Sequence, residues 1–323
     1  MVSTVTPLRT NEASLSDDEV LAIYKHMVKV RALDERLQAL QREGKIGFHL
    51  SSLREEAAII GAVAALRDRD WVFHYGREFG AALFRGMPLG AYLSHMFGSA
   101  ADPNKGRQMP DSFSSRAARF SSASSPIGTQ ITHAVGFAWA AKLRREDVVT
   151  LACFGEGATS SGDFHSGMNF AGVFKTPTVF FCRNNGWAIS LPAKRQTASS
   201  SFHLKGVAYG IVGVAVDGND LFAVHKAVKE AVSRAARGDG PTIIEASVSG
   251  VDTDAVERVR EHLEARRLWS DTDQTEHNAR VRSEIDVAVS AAQTEPAPPR
   301  ESMFDDVYGQ LPWHLREQKA GKG

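Results

Sequence analysis

Two short polar stretches carry the residue types that a hard cation needs, and each stands at the end of an apolar run. The first reads Phe154-Gly-Glu-Gly-Ala-Thr159 and follows the run 148–154. The second reads Cys182-Arg-Asn-Asn-Gly-Trp187 and follows the run 178–182. Glu156 offers a carboxylate, Asn185 a carboxamide, and the chain just after Asn185 a backbone carbonyl. Mg²⁺ takes an octahedron of oxygen ligands and often shares it with phosphate. A helix after Gly157 would turn its free N–H groups toward a diphosphate. Taken singly, Gly-Glu-Gly and Asn-Asn-Gly are turn signals. Their joint setting, each directly after a strand-type run, is what points to a site.

Strands must hold these groups at neighbouring ends. The segment between the motifs, 162–174, carries Phe164, Met168, Phe170 and Ala171 in a helical pattern. Strand, helix and strand make one β-α-β unit. The alternation continues through a strand at 213–216, a helix at 222–237 and a strand at 242–248. This pattern predicts an α/β fold, a parallel sheet flanked by helices with right-handed crossovers. Such sheets bind ligands at the carboxyl ends of their strands. Further helices are expected from Ser16 to Gly44 and over 55–66, 80–87, 89–97, 129–143, 256–268 and 274–292, with a short strand at 71–73. Residues 99–124 read as a polar loop, long enough to expect either function or disorder. The division expected is a loose segment 1–14, a cofactor-binding domain 15–293 and a C-terminal tail 294–323 that opens on a Pro-rich break.

Composition bounds the class. Of 323 residues, 43% are hydrophobic and 24% charged, which is ordinary for a globular protein. Lys plus Arg equals Asp plus Glu at 38 each, so no basic face argues for nucleic acid or an anionic membrane. No apolar run approaches the roughly 18 residues of a membrane helix, and no signal peptide is evident. Both cysteines, Cys153 and Cys182, sit in strand-type runs and are expected as buried thiols. A cytoplasmic enzyme subunit fits these bounds.

The paired motifs resemble the thiamine diphosphate motif of 2-oxo acid dehydrogenase E1 alpha subunits. The branched-chain (2-oxoisovalerate) type is the nearest, since it also carries Gly-Glu-Gly. The resemblance spans about residues 20–245, returns near 303–317, and takes in Gly106-Arg-Gln-Met-Pro110, Ser124-Ser-Pro-Ile-Gly-Thr-Gln130 and Val216-Asp-Gly-Asn-Asp220. It implies a thiamine diphosphate-binding fold with Mg²⁺ on Glu156, Asn185 and the main-chain carbonyl of Trp187. Gly155, Gly157 and Ala158 would bring backbone to the diphosphate, and Arg77 and Arg183 would contact its phosphates. Ser125 and Ile127 would lie along the middle of the cofactor. Ser124, Pro126, Thr129 and Gln130 match a monovalent-cation (K⁺) site. The implied partners are an E1 beta subunit, in an alpha2beta2 heterotetramer, and the lipoyl domain of an E2 acyltransferase. The implied reaction is oxidative decarboxylation of 2-oxoisovalerate-type acids with acyl transfer to lipoyl-E2.

Three departures from that pattern bear on catalysis. The Tyr of the family's Tyr-Arg-Glu is Gly76 here, and Tyr75, one residue off, is expected to point elsewhere. The His-Tyr after Gln-Met-Pro is Asp111-Ser112. The loop carrying a catalytic imidazole after the strand 242–246 is missing, and Asp254 stands near its place. These losses predict impaired acyl transfer. Two other readings remain open: a thiamine-dependent decarboxylase or ligase with a different acceptor, and a non-catalytic regulatory subunit. The remaining imidazole candidates are His49 and His74, expected to be ordinary polar residues.

Overall fold

A computed structural model describes residues 15–248 and 254–321. The chain opens with α1 (Asp17–Arg42), started by a reciprocal cap in which Ser16 and Glu19 bond each other's backbone. Then come α2 (Glu56–Ala64), β1 (Trp71–Phe73), α3 (Phe79–Phe84), α4 (Leu89–Phe97) and α5 (Thr129–Leu143). The motif region follows as β2 (Thr150–Gly155), a 3-10 turn (Glu156–Ser160), α6 (Gly162–Phe174) and β3 (Thr178–Asn184). A small hairpin, β4 (Trp187–Ala188) and β5 (Leu191–Pro192), precedes β6 (Val212–Asp217), α7 (Leu221–Ala236) and β7 (Thr242–Ser247). The chain closes with α8 (Ala255–Ala265), α9 (Asp271–Thr294) and α10 (Trp313–Lys319).

Five strands form one parallel sheet in the order β1-β2-β3-β7-β6. Its central strands are mostly apolar because helices cover both faces, while the edge strand β6 is partly exposed. Alternate residues point to opposite sides. Leu151, Cys153, Val179 and Phe181 join the core under α1, α2 and α7. Ala152, Phe154, Phe180 and Cys182 join the core under α5 and α6. Both cysteines are free and buried, as expected. The register sets Phe154 beside Cys182 and Gly155 beside Arg183, so the two motif strands end level with each other.

The polar segment 99–124 is anchored rather than loose. Phe113 and Phe120 are fully buried, and Phe120 makes a parallel bridge to Val72 at the sheet edge. The tail returns to the same segment, where Ala100 N–H donates to Pro296 O at 2.8 Å. The C-terminal tail, where the resemblance returns, holds a 3-10 turn at Arg300–Phe304 and α10, which starts after Pro312. Proline suits a helix start because its missing N–H has no partner there anyway. The expected loose segment 1–14, and most of the junction where the imidazole loop is missing, lie outside the described residues.

Candidate functional site

Glu156 leaves β2 at its carboxyl end and is 1% exposed. Its Oε1 has no hydrogen-bond partner. Burial pushes its carboxyl above the usual carboxylate range, and Glu55 adds to the rise. Donors from its own N–H, the Asn185 N–H and the Gln196 side chain pull the other way without cancelling it. A buried carboxylate with a free oxygen is costly unless a cation takes it up. Because β2 and β3 end level with each other, Glu156 and Asn185 follow at neighbouring strand ends.

The adjacent asparagines divide the work. Asn184 is structural, since its Nδ2 donates to Glu245 Oε1 at 2.8 Å and its Oδ1 accepts from Gly186 N–H at 2.9 Å. Asn185 is only half-buried, and its Oδ1 accepts from Trp187 N–H at 2.9 Å. One lone pair of that oxygen stays open, because an amide oxygen accepts twice. Among the described residues no group of three or more His, Cys, Asp or Glu is placed to hold a metal. A cation here would therefore rest on one carboxylate, with a carboxamide, a carbonyl and ligand oxygens making up the rest. That is the donor set of a hard ion shared with phosphate, so the residues fit Mg²⁺.

Gly157 lets the hairpin close over the turn. A Cβ there would lie 2.7 Å from Ala188 Cβ. The helix expected directly after Gly157 is a five-residue 3-10 turn instead. The α-helix begins at Gly162, where Ser161 Oγ accepts from Phe164 N–H at 3.1 Å. That hydroxyl takes one N–H of the helix's first turn, and the turn 156–160 stands between Gly157 and the helix. Gly155 ends β2, and Ala158 is buried in the turn. Ser125 and Ile127 are exposed on the approach to α5, and Ile127 is 56% exposed. Gln130 is turned inward, taking Gly128 N–H at 3.2 Å and giving to Cys153 O at 3.1 Å. Thr129 Oγ1 donates to Asp163 at 3.2 Å.

The two arginines are placed differently. Arg183 is 2% exposed and caged between carboxylates. Its Nη1 donates to Glu55 Oε2 at 2.6 Å and its Nη2 to Glu78 Oε1. Arg77 stays partly exposed. Its Nη1 donates to Ser51 O at 2.5 Å and lies 3.8 Å from Glu55 Oε1. Arg77 is thus the cation more open to an incoming anion.

Tyr75 does not point away. The Arg183 guanidinium sits over its ring, 5.3 Å from the centroid. Its hydroxyl lies 3.7 Å from where a Gly155 Cβ would be. Gly76, with φ of +134°, turns the chain so that the tyrosine before it faces the strand exits. Glu55, Glu78 and Gln196 belong to this site and were missed in the sequence. The two carboxylates stand more than a hundred positions from Arg183, and Gln196 stands just before the Ser-rich stretch 197–201, in no motif.

Neither imidazole candidate is free. His49 lies between Asp34 and Asp111. His74 stacks on Phe113 at 4.2 Å and bonds its carbonyl through Nε2 at 3.0 Å. Burial holds the His74 pKa down, so the ring is neutral. Asp254, near the place of the missing imidazole, caps α8. Its Oδ1 accepts from Val256 N–H at 2.9 Å, and its Oδ2 pairs with Arg31 at 2.6 Å.

The sequence profile of the family described as Dehydrogenase E1 component matches residues 24–249. The 2-oxoisovalerate dehydrogenase subunit alpha of Bacillus subtilis (strain 168) is 43% identical, covering 79% of this chain and 80% of its own length. The mitochondrial 2-oxoisovalerate dehydrogenase subunit alpha of Bos taurus is 37% identical over 96% of this chain and 73% of its own length. The mitochondrial subunit alpha 2 of Arabidopsis thaliana is 36% identical, covering 94% of this chain and 70% of its own length.

Proposed function

Because this chain belongs to the dehydrogenase E1 component family, we propose that it is the alpha subunit of a branched-chain 2-oxo acid dehydrogenase. Thiamine diphosphate with Mg²⁺ is its cofactor and 2-oxoisovalerate-type acids are its substrates. The observation that carries the reading is Glu156, a buried carboxylate with one unpartnered oxygen at the end of β2. Glu156, the Asn185 carboxamide and the Trp187 carbonyl would hold the metal. Arg77 would meet the diphosphate, and Arg183 would hold the carboxylates around it. Gly155, Gly157 and Ala158 would line the diphosphate, and Ser125 and Ile127 the cofactor's middle. A K⁺ ion near Ser124, Pro126, Thr129 and Gln130 would have to use oxygens that Thr129 and Gln130 already share within the fold.

When bound, thiamine diphosphate supplies the electron sink for loss of carbon dioxide from a 2-oxo acid. This chain's part is to neutralise and orient the diphosphate end. A beta subunit completes the site in an alpha2beta2 heterotetramer, and a lipoyl domain of E2 takes the acyl group. Cytoplasmic residence belongs to the same proposal. The Bacillus relative's name carries no organelle, whereas the Bos taurus name carries the mitochondrion. His49, His74 and Asp254 are all held by structural partners, so acyl transfer would be slow unless the beta subunit brings an imidazole.

The named relatives favour neither the different-acceptor enzyme nor the regulatory subunit. The test is co-expression with the beta subunit, followed by carbon dioxide release from 2-oxoisovalerate with an artificial electron acceptor, then acylation of a lipoyl domain. Activity in the first assay supports the reading. No release from a cofactor-loaded complex refutes it.

A further inference from the structure

Behind the two arginines lies a second buried charge cluster that the metal and phosphate contacts do not use. His49 Nδ1 is 3.2 Å from Asp111 Oδ2, and Nε2 is 3.1 Å from Asp34 Oδ1. A neutral imidazole donates from one nitrogen only. Two carboxylate partners therefore hold the ring doubly protonated. Burial opposes that charge, but the bonds and charges of Asp111 and Asp34 outweigh it and push the pKa up to about 9.

The same carboxylates fasten the backbone that follows His49. Leu50 N–H donates to Asp111 Oδ2 at 2.5 Å. Ser52 gives Asp34 Oδ2 its N–H at 2.6 Å and its hydroxyl at 2.9 Å. The Gln38 amide reaches both Asp34, at 3.0 Å, and Ser51 Oγ, at 3.1 Å. The fastened segment in turn serves both arginines, through Ser51 O for Arg77 and Glu55 for Arg183. Leu50 and Asp111 also press on Gly76, the residue before Arg77. A Cβ on Gly76 would lie 2.9 Å from Leu50 Cδ1 and 3.5 Å from Asp111 Cβ.

We propose that His49 is a positioning residue: donating from both ring nitrogens, it ties the 49–55 segment between α1 and the 99–124 segment and so aims Arg77 at the cofactor's diphosphate. The inference rests on the cofactor-binding reading above. The groups facing the ring are Asp34 from α1, Asp111 from the 99–124 segment and the Phe79 ring from α3, edge-on at 5.5 Å. Tyr92 of α4 donates to Asp111 Oδ1 at 2.8 Å, and His74 lies beyond Asp111. With the ring discharged, two buried carboxylates would face each other with no cation between them.

The test is calorimetric titration of thiamine diphosphate, with Mg²⁺ present, into the chain assembled with its beta subunit. His49→Gln should weaken binding about 10- to 100-fold, the usual effect of removing a group that orients a ligand contact. In an Arg77→Ala background it should cost little more, because both changes remove the same contact. Parent affinity should fall as pH rises past about 9, while the Gln variant stays flat there. If His49→Gln does not fold, His49→Gln with Asp111→Asn removes the uncompensated carboxylate, and its loss of affinity decides the matter. Unchanged affinity, full additivity with Arg77→Ala, or identical pH profiles would overturn the proposal. A parent complex that binds no cofactor would sink the functional reading and this inference together. A parent that binds normally, with an indifferent Gln variant, sinks the inference alone.

Discussion

Replacing Glu156 by Gln should make the ligand-free chain more stable while abolishing its response to metal and cofactor. The carboxylate is 1% exposed, and Oε1 has no hydrogen-bond partner. A buried polar group left unpartnered costs about 1–3 kcal/mol, more when charged. The neutral amide keeps one oxygen for the Asn185 and Gln196 donors, and although its NH₂ is as unpartnered as Oε1 was, no charge is left to desolvate. The net gain at pH 7 should be about 1–2 kcal/mol, which raises the melting temperature by a few degrees, on the order of 2–4 °C per kcal/mol for domains somewhat smaller than this chain. Burial raises the carboxyl pKa in the folded state. The parent's penalty is therefore absent at low pH and appears as pH rises through that raised value. The two proteins should melt alike near pH 4 and diverge toward pH 7. With the beta subunit, Mg²⁺ and thiamine diphosphate at about 100 times the Kd, the parent should gain about 2.7 kcal/mol. The variant should gain none, so the order reverses. Scanning calorimetry across pH, with and without ligands, reads both effects. A variant that melts below the parent without ligands, or that shifts with Mg²⁺ and cofactor as the parent does, would refute the metal-ligand reasoning.

Arg183→Met should destabilise the chain by about 3–5 kcal/mol in urea unfolding, because Glu55 and Glu78 would remain buried without their cation; a loss under about 1 kcal/mol would show that water reaches the cage. Asp254→His should cost about 1–2 kcal/mol of stability by removing the α8 cap and the Arg31 pair, and it should not restore full lipoyl acylation; full recovery would show that the missing loop matters little. His49 should make stability fall as pH rises from the imidazole's ordinary 6.5 through about 9, since its folded pKa is the higher one; urea midpoints that fall equally in His49→Gln would rule this out. The chain purified without its beta subunit should bind thiamine diphosphate poorly by calorimetry, and a tight, active monomer would refute the shared site.

Much of the scaffold was legible in the sequence because its signals are local and periodic. The runs before Glu156 and Arg183 became β2 and β3, and the pattern over 162–174 became α6 within the same bounds. Strand-helix alternation was enough to predict the parallel sheet. The Ser16-to-Glu19 start was visible because a cap is written within four residues. The hairpin at 187–192 was not, since two residues per strand leave no period to read.

The sequence by itself determined which residues reach the ends of β2 and β3, because strand period and register follow from the order of side chains. It determined the family too, through motifs that lie close together along the chain. Only the tertiary structure decided how the charges are paired. Arg183 meets Glu55 across 128 positions and Glu78 across 105, and His49 finds Asp111 across 62. Whether a charge stands free or caged depends on which distant segment packs against it. Coulomb attraction has no sequence period, so no spacing along the chain announces it. For that reason Arg183, written in a motif like Arg77's, ends inside a cage while Arg77 stays open to a ligand.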